Sequence, residues 1–277
     1  MKFGIAFSNA PRARATDIVI KAEELGYDSF LITDHYMLPG NNETLETWIY
    51  LSYLAGKVSN IRLGTCVTPI PFRPPSFFAK TVSTLDFVSN GRVIVGVGLG
   101  WYPEEFEAYS TWDPLHIRFE KTKEALELMV KLWSEDEVNF EGKYYRVKGA
   151  VLQPKPVQKP HPPLWFGGKG EKMLKLTAEM GDGWITWGPR WAPFYPTVEE
   201  YRRYVEKIKG YRKSLGKNGK FTFACAVCPH ESFKEFVREI EDYRKAGMEY
   251  LVLGITEVKD SIKLIERFKN EIVSSFS

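Results

Sequence analysis

Two short runs in this sequence combine residue types that chemistry needs. Asp34-His35 closes the apolar run Asp28–Thr33. An imidazole titrates near neutral pH and can give or take a proton, and the neighbouring carboxylate could orient it or bind the edge of a ligand ring. The plainer reading is a helix-capping Asp beside a packed His. Gly167-Gly168-Lys169-Gly170 lies between the apolar Leu164–Phe166 and a helical stretch, Glu171–Met180. Small residues leave main-chain N–H groups bare, and a helix N-terminus adds partial positive charge. That suits a phosphate, with Lys169 and Arg190 nearby as cations; an ordinary tight turn is the alternative.

Other residues suggest a ligand slot. Gly96, Gly98 and Gly100 strip side chains from the end of Val93–Val97, so something must approach that backbone closely. One face of a cofactor pocket is the expectation. Trp101, Tyr102, Trp112, Trp187, Trp191, Phe194 and Tyr195 sit on non-periodic segments beside Gly and Pro. They fit an apolar slot for a flat ring or a hydrophobic substrate, or a hydrophobic dimer interface. Glu104-Glu105 could supply an acid, but also complements a helix dipole. Cys225 and Cys228 would face opposite sides of a strand, with Pro229 where a redox motif wants a helix, so buried structural thiols are expected. His116, His161 and His230 show no metal-ligand spacing, and no metal is expected.

The elements that must position these residues alternate regularly. Lys2–Ser8 reads as a strand, with a helix from about Arg12 to Leu25 stopped by Gly26. Asp28–Thr33 is a strand, and a polar loop (Pro39-Gly40-Asn41-Asn42) leads to a helix over about Leu45–Val58. Ile61–Thr68 is β-branched and apolar, and Pro69–Pro75 forbids regular structure. A helix follows from Pro75, with Phe78, Val82 and Leu85 on one face, ended by Asn90-Gly91. Val93–Val97 is apolar without alternation, as in parallel strands buried on both faces.

Ile117–Trp133 is helical. Glu135–Pro163 is an excursion with a hairpin turn at Glu141-Gly142 and a Pro-rich extended remainder. Four further units follow: strands at Leu164–Phe166, Trp184–Trp187, Lys220–Val227 and Tyr250–Leu253, with helices at Glu171–Met180, Val198–Leu215 and Phe233–Ala246. Ile262, Ile265, Phe268 and Ile272 stripe the last helix. Eight strand–helix units favour a closed (β/α)8 TIM barrel over an open sheet, with a hairpin-containing insertion before the fifth strand. A Rossmann reading fails on glycine spacing.

The 277 residues read as a single domain. A net charge of +3, dispersed along the chain, gives no footprint for nucleic acid. Three cysteines make no disulfide framework, and no stretch approaches the roughly 20 apolar residues that span a bilayer. A soluble cytoplasmic protein is expected.

With these residues assembled, the chain resembles the luciferase-like monooxygenase superfamily, in particular its branch of coenzyme F420-dependent oxidoreductases. The resemblance is carried by Leu63-Gly64-Thr65, Arg73-Pro74, Thr84-Leu85-Asp86, Asn90-Gly91-Arg92, Gly96–Trp101 and Glu104-Glu105-Phe106. It continues through Arg118, Glu124, Leu132-Trp133, Phe140-x-Gly142, Pro162–Gly168 and Gly181-Asp182-Gly183-Trp184. Beyond Trp184 only the β/α rhythm supports it.

The resemblance implies a TIM barrel that moves a hydride between F420 and a small carbonyl, alcohol or activated alkene. It places a non-proline cis peptide at Cys66-Val67 under the deazaflavin ring, with Thr68 on the pyrimidine side and Gly98 in the same pocket. Asp34 and His35 match a pair near the ring, and Gly167, Gly168, Lys169 and Gly170 match the phosphate-binding turn. Trp101, Trp112 and Trp187 are expected over the substrate. Where a sugar-phosphate dehydrogenase branch carries Glu after the glycine-rich strand, this chain has Trp101, which favours a less polar substrate. Two alternatives stand: an FMN-dependent monooxygenase served by a separate flavin reductase, and a non-catalytic flavin-binding protein. Relatives are commonly homodimers.

Overall fold

A computed structural model describes residues 1–8, 15–40, 43–255 and 261–273. Among them the strands are β1 (Lys2–Phe7), β2 (Ser29–Ile32), β3 (Arg62–Thr65), β4 (Thr68–Pro69), β5 (Val93–Gly98), β6 (Val138–Glu141), β7 (Arg146–Ala150), β8 (Leu164–Phe166), β9 (Gly183–Trp187), β10 (Thr222–Val227) and β11 (Tyr250–Ile255). Parallel pairing runs β3-β2-β1-β11-β10-β9-β8-β5-β4, and β3 pairs back onto β5 through Leu63–Val93 and Gly64–Ile94. The sheet therefore closes into a TIM barrel, with β4 continuing β3 after a two-residue break.

The helices are α1 (Ala15–Glu24), α2 (Thr47–Ala55), α3 (Pro75–Val88), α4 (Pro103–Tyr109), α5 (Leu115–Ser134), α6 (Glu171–Met180), α7 (Val198–Ser214), α8 (Phe233–Lys245) and α9 (Ser261–Glu271). Closure explains why the strands read as unbroken apolar runs, since both faces are buried. Val93, Val95 and Val97 point outward into the layer beneath the helices, while Ile94 points into the barrel. Inside, bulky Trp165, Trp187 and Tyr250 are matched by small residues. A β-carbon on Gly183 would lie 2.7 Å from Trp165, and one on Gly254 the same distance from Trp187.

Several local expectations change. The segment that carries Trp101, Tyr102 and Trp112, expected to be non-periodic, contains α4, because Pro103 occupies a first-turn position where a missing N–H costs nothing. The proline run after β4 forms a short 3-10 turn at Ile70–Phe72. The hairpin β6–β7 turns through residues 142–145, with Gly142 N–H bonded to Tyr145 O. Its turn is held by Glu124, which accepts from the N–H groups of Lys143, Tyr144 and Tyr145. On α9, Ile265 and Phe268 are buried, as is Ile272 just past its end, but Ile262 is 39 % exposed and does not join the stripe. The expected start of the first helix at Arg12, and Asn41-Asn42 of the polar loop, lie outside the described residues.

Candidate functional site

The break between β3 and β4 is the feature around which the barrel mouth is built. The Cys66-Val67 peptide is cis, and Val67 bulges across the strand end. A β-carbon on Gly96 would lie 2.1 Å from Thr65 O, and one on Gly98 2.5 Å from Val67 Cγ2. The close approach that the glycines signalled is thus made by the polypeptide itself, and Val67 becomes part of the pocket wall. Gly100, at φ +81°, makes room in the same way for the Phe106 ring. Arg118 fastens this turn by donating to the carbonyls of Leu99 and Gly100 (3.1 and 2.6 Å) and to Asp113 O (3.0 Å).

A cavity of about 1030 Å3 opens at this end of the barrel. Its walls include His35, Cys66, Val67, Gly98, Trp101, Trp187 and the whole turn Gly167–Gly170. Ten of the thirteen residues to which the resemblance gives a role therefore meet around one space. Three do not. Asp34 (2 % exposed) and Thr68 are buried behind the wall, and Trp112 lies against Arg118, whose guanidinium sits 3.7 Å from the ring centre.

Asp34 is consumed by an internal network. It pairs with Arg73 Nη2 (2.9 Å) and accepts from Trp48 Nε1 (3.2 Å) and the Thr68 hydroxyl (2.8 Å). Arg73 reaches Glu46 with its other terminal nitrogen (2.6 Å) and lies over the rings of Tyr36 and Phe78. Burial works against the guanidinium charge, but Asp34, Tyr36 and Glu46 outweigh it and hold the Arg73 pKa above its usual value. This network ties the ends of β2 and β4 to the start of α2.

His35 has a different partner. Its Nδ1 lies 3.0 Å from Oε2 of Glu105, which is 1 % exposed. The other oxygen of Glu105 accepts from the N–H groups of Tyr36 (2.6 Å) and Met37 (3.3 Å). Trp101 meets the imidazole edge-on, ring centres 5.7 Å apart. From sequence Glu105 reads as a possible acid or a helix-dipole residue, and nothing local links it to a histidine 70 positions earlier. Ser8, Thr33 and Thr186 also line the cavity and were missed; their one signal was position, at or near the ends of strands.

The turn after β8 suits an anion. Gly168 takes φ +96° and its carbonyl accepts from Trp184 Nε1 (2.9 Å). Gly170 is the N-cap of α6 without a side-chain cap, and a β-carbon there would meet nothing within 4 Å. The adjacent Glu171 is drawn away by Lys207 (2.9 Å) and the Tyr211 hydroxyl on α7. Uncapped N–H groups and a spare cradle are what a phosphate requires. With Val67, Trp101 and Trp187 as apolar wall and this turn as polar end, the cavity suits a flat heterocycle that carries a phosphorylated side chain. Burial pushes the Cys66 thiol up to about 12, with Trp187 only partly offsetting it, so the wall carries no thiolate nucleophile at neutral pH.

A closed parallel barrel with a cavity at the strand ends defines the class: an α/β barrel of the TIM type. The chain belongs to the luciferase-like monooxygenase family, whose pattern it matches over residues 1–271. The F420-dependent glucose-6-phosphate dehydrogenase of Kineococcus radiotolerans is 33 % identical over 177 residues, covering 62 % of this chain and 51 % of that protein. The chain thus spans about half the length of that curated relative. Among solved structures, an F420-dependent secondary alcohol dehydrogenase in complex with an F420-acetone adduct superposes with a TM-score of 0.82 at 23 % identity, over 99 % of both chains. A monooxygenase from Streptomyces bottropensis gives 0.83 at 19 % identity over the full length of both. At these identities the two structures speak for the fold.

Proposed function

We propose that this chain transfers a hydride between coenzyme F420 and a small, weakly polar carbonyl, alcohol or activated alkene. One observation carries the reading: His35, the Cys66-Val67 bulge and the Gly167–Gly170 turn line a single cavity. The F420 dependence of the relative at 33 % identity supports F420 over other redox rings. When bound, a deazaflavin supplies the hydride donor or acceptor.

The protein's residues supply the rest. Val67 and Gly98 would support the flat ring, and the N–H groups at Gly170 would hold its phosphate. His35 would exchange the proton that accompanies the hydride, and Trp101 and Trp187 would exclude water from the substrate. Trp101 beside His35 brings a single indole N–H and no carboxylate to accept from a sugar hydroxyl, which disfavours a sugar phosphate. Because Trp101 is 53 % exposed at the mouth, substrate has a way in, which favours an enzyme over a storage protein.

FMN-dependent monooxygenation, with a separate reductase, is the second reading, favoured by the family and by the Streptomyces neighbour. We place the whole chain in one catalytic domain acting in the cytoplasm as a homodimer. Exposed Ile49 and Tyr53 on α2, with Phe77 on neighbouring α3, supply apolar surface for a second copy. Among the described residues no helix is long and apolar enough to cross a membrane.

The test is an anaerobic assay of F420 with short secondary alcohols, followed by loss of deazaflavin fluorescence. Turnover supports the proposal. Activity only with reduced FMN and oxygen moves the protein to the second reading.

A further inference from the structure

We infer that Glu105 is a positioning residue that sets the tautomer of His35, so that proton exchange falls to Nε2. This rests on the proton role proposed for His35. Two carboxylates flank the histidine, and their partners separate their duties. Both oxygens of Asp34 are engaged by Arg73, and Oδ2 also by Trp48 and Thr68, so that carboxylate holds these three side chains and not the imidazole. Glu105 has Oε1 filled by two main-chain donors and turns Oε2 to Nδ1 at 3.0 Å.

A carboxylate oxygen is an acceptor, so Nδ1 is the nitrogen that carries hydrogen, and Nε2 of the neutral ring bears the lone pair. In alcohol oxidation the hydroxyl proton would then pass to Nε2 as the carbonyl bond forms, and a bound deazaflavin would supply the acceptor for the carbinol hydride. The resulting imidazolium keeps its Nδ1–H on Glu105. Reduction returns the same proton from Nε2 to the carbonyl oxygen. Glu105 belongs to the first turn of α4, four residues after Trp101, whose ring meets the imidazole edge-on. One segment therefore fixes the imidazole both by a hydrogen bond and by a ring contact.

The variant that isolates this role is Glu105→Gln. Its carbonyl can still take the Tyr36 and Met37 N–H groups, but its amide would donate to Nδ1 and move the ring proton to Nε2. Nitrogen chemical shifts of the apoprotein read the tautomer directly, with the His35 signals assigned by their loss in His35→Gln. The expected result is Nδ1–H in the unmodified protein and Nε2–H in Glu105→Gln. With F420 and 2-propanol, kcat falls ~100-fold while KM and F420 affinity stay within about twofold, and Glu105→Asp recovers the tautomer and part of the rate. An Nε2–H tautomer in the unmodified protein overturns the inference, even if Glu105→Gln fails to fold; so does a Glu105→Gln protein with unchanged tautomer and kcat. Absence of turnover in the unmodified protein counts against the proposed function instead, and leaves the tautomer measurement to decide the role of Glu105.

Discussion

Val67 and Gly98 fit together only because Gly98 has no β-carbon: one placed there would lie 2.5 Å from Val67 Cγ2. The bulge and the glycine strand are therefore one device. Gly98→Ala should destabilise the protein by about 1–3 kcal/mol through overpacking. Adding Val67→Ala should recover most of that loss, a non-additivity expected of touching residues. Gly96→Ala meets the Thr65 carbonyl, which cannot swing away, and should not be rescued by Val67→Ala. Urea unfolding of the five variants (Gly98→Ala, Gly96→Ala, Val67→Ala and the two doubles) and the parent reads all three expectations.

Asp34→Ala should act through stability more than through ligand contact. It leaves Arg73 charged and buried with Glu46 as its remaining carboxylate, a situation that costs roughly 3–5 kcal/mol when a buried pair is broken outright. Because Glu46 stays, the lower end is expected. Thermal unfolding should show a large drop in Tm, while the fraction still folded binds cofactor with little change in Kd.

Stability should fall in acid through Glu23. Burial raises its pKa, but the main-chain N–H groups of Asn60, Ile61 and Ser59 outweigh that and leave it lowered. A carboxylate with a lower folded than unfolded pKa stabilises fully above the unfolded value, and the contribution is lost as pH falls through the folded one. Glu23→Gln should thus cost on the order of 1 kcal/mol at pH 7, and the gap to the parent should close in acid. Denaturant titrations of both proteins across that pH range provide the check.

Much of this architecture was legible in the residues. Strands buried on both faces announce themselves as unbroken apolar runs, and Gly167–Gly170 stands out because a strand precedes it and a helix follows. Pro103 concealed α4, since proline signals a break more often than a first turn. Asp34 and Glu105 were harder for a physical reason. Both are buried carboxylates beside polar neighbours, and only the folded chain decides which one reaches the imidazole. The cis peptide at Cys66-Val67 was placed by resemblance, because no local residue pattern in Thr65–Thr68 requires it.

A deazaflavin lying against the Val67 bulge, with its phosphate at the start of α6, is the central claim for this site. Titration of the purified protein with F420, followed by fluorescence, tests this directly, with FMN run in parallel. Saturable binding of F420 at roughly micromolar Kd, tighter than FMN and weakened about tenfold by Gly170→Asp, is the expected result. Failure of F420 to bind, or binding indifferent to Gly170→Asp, would contradict it.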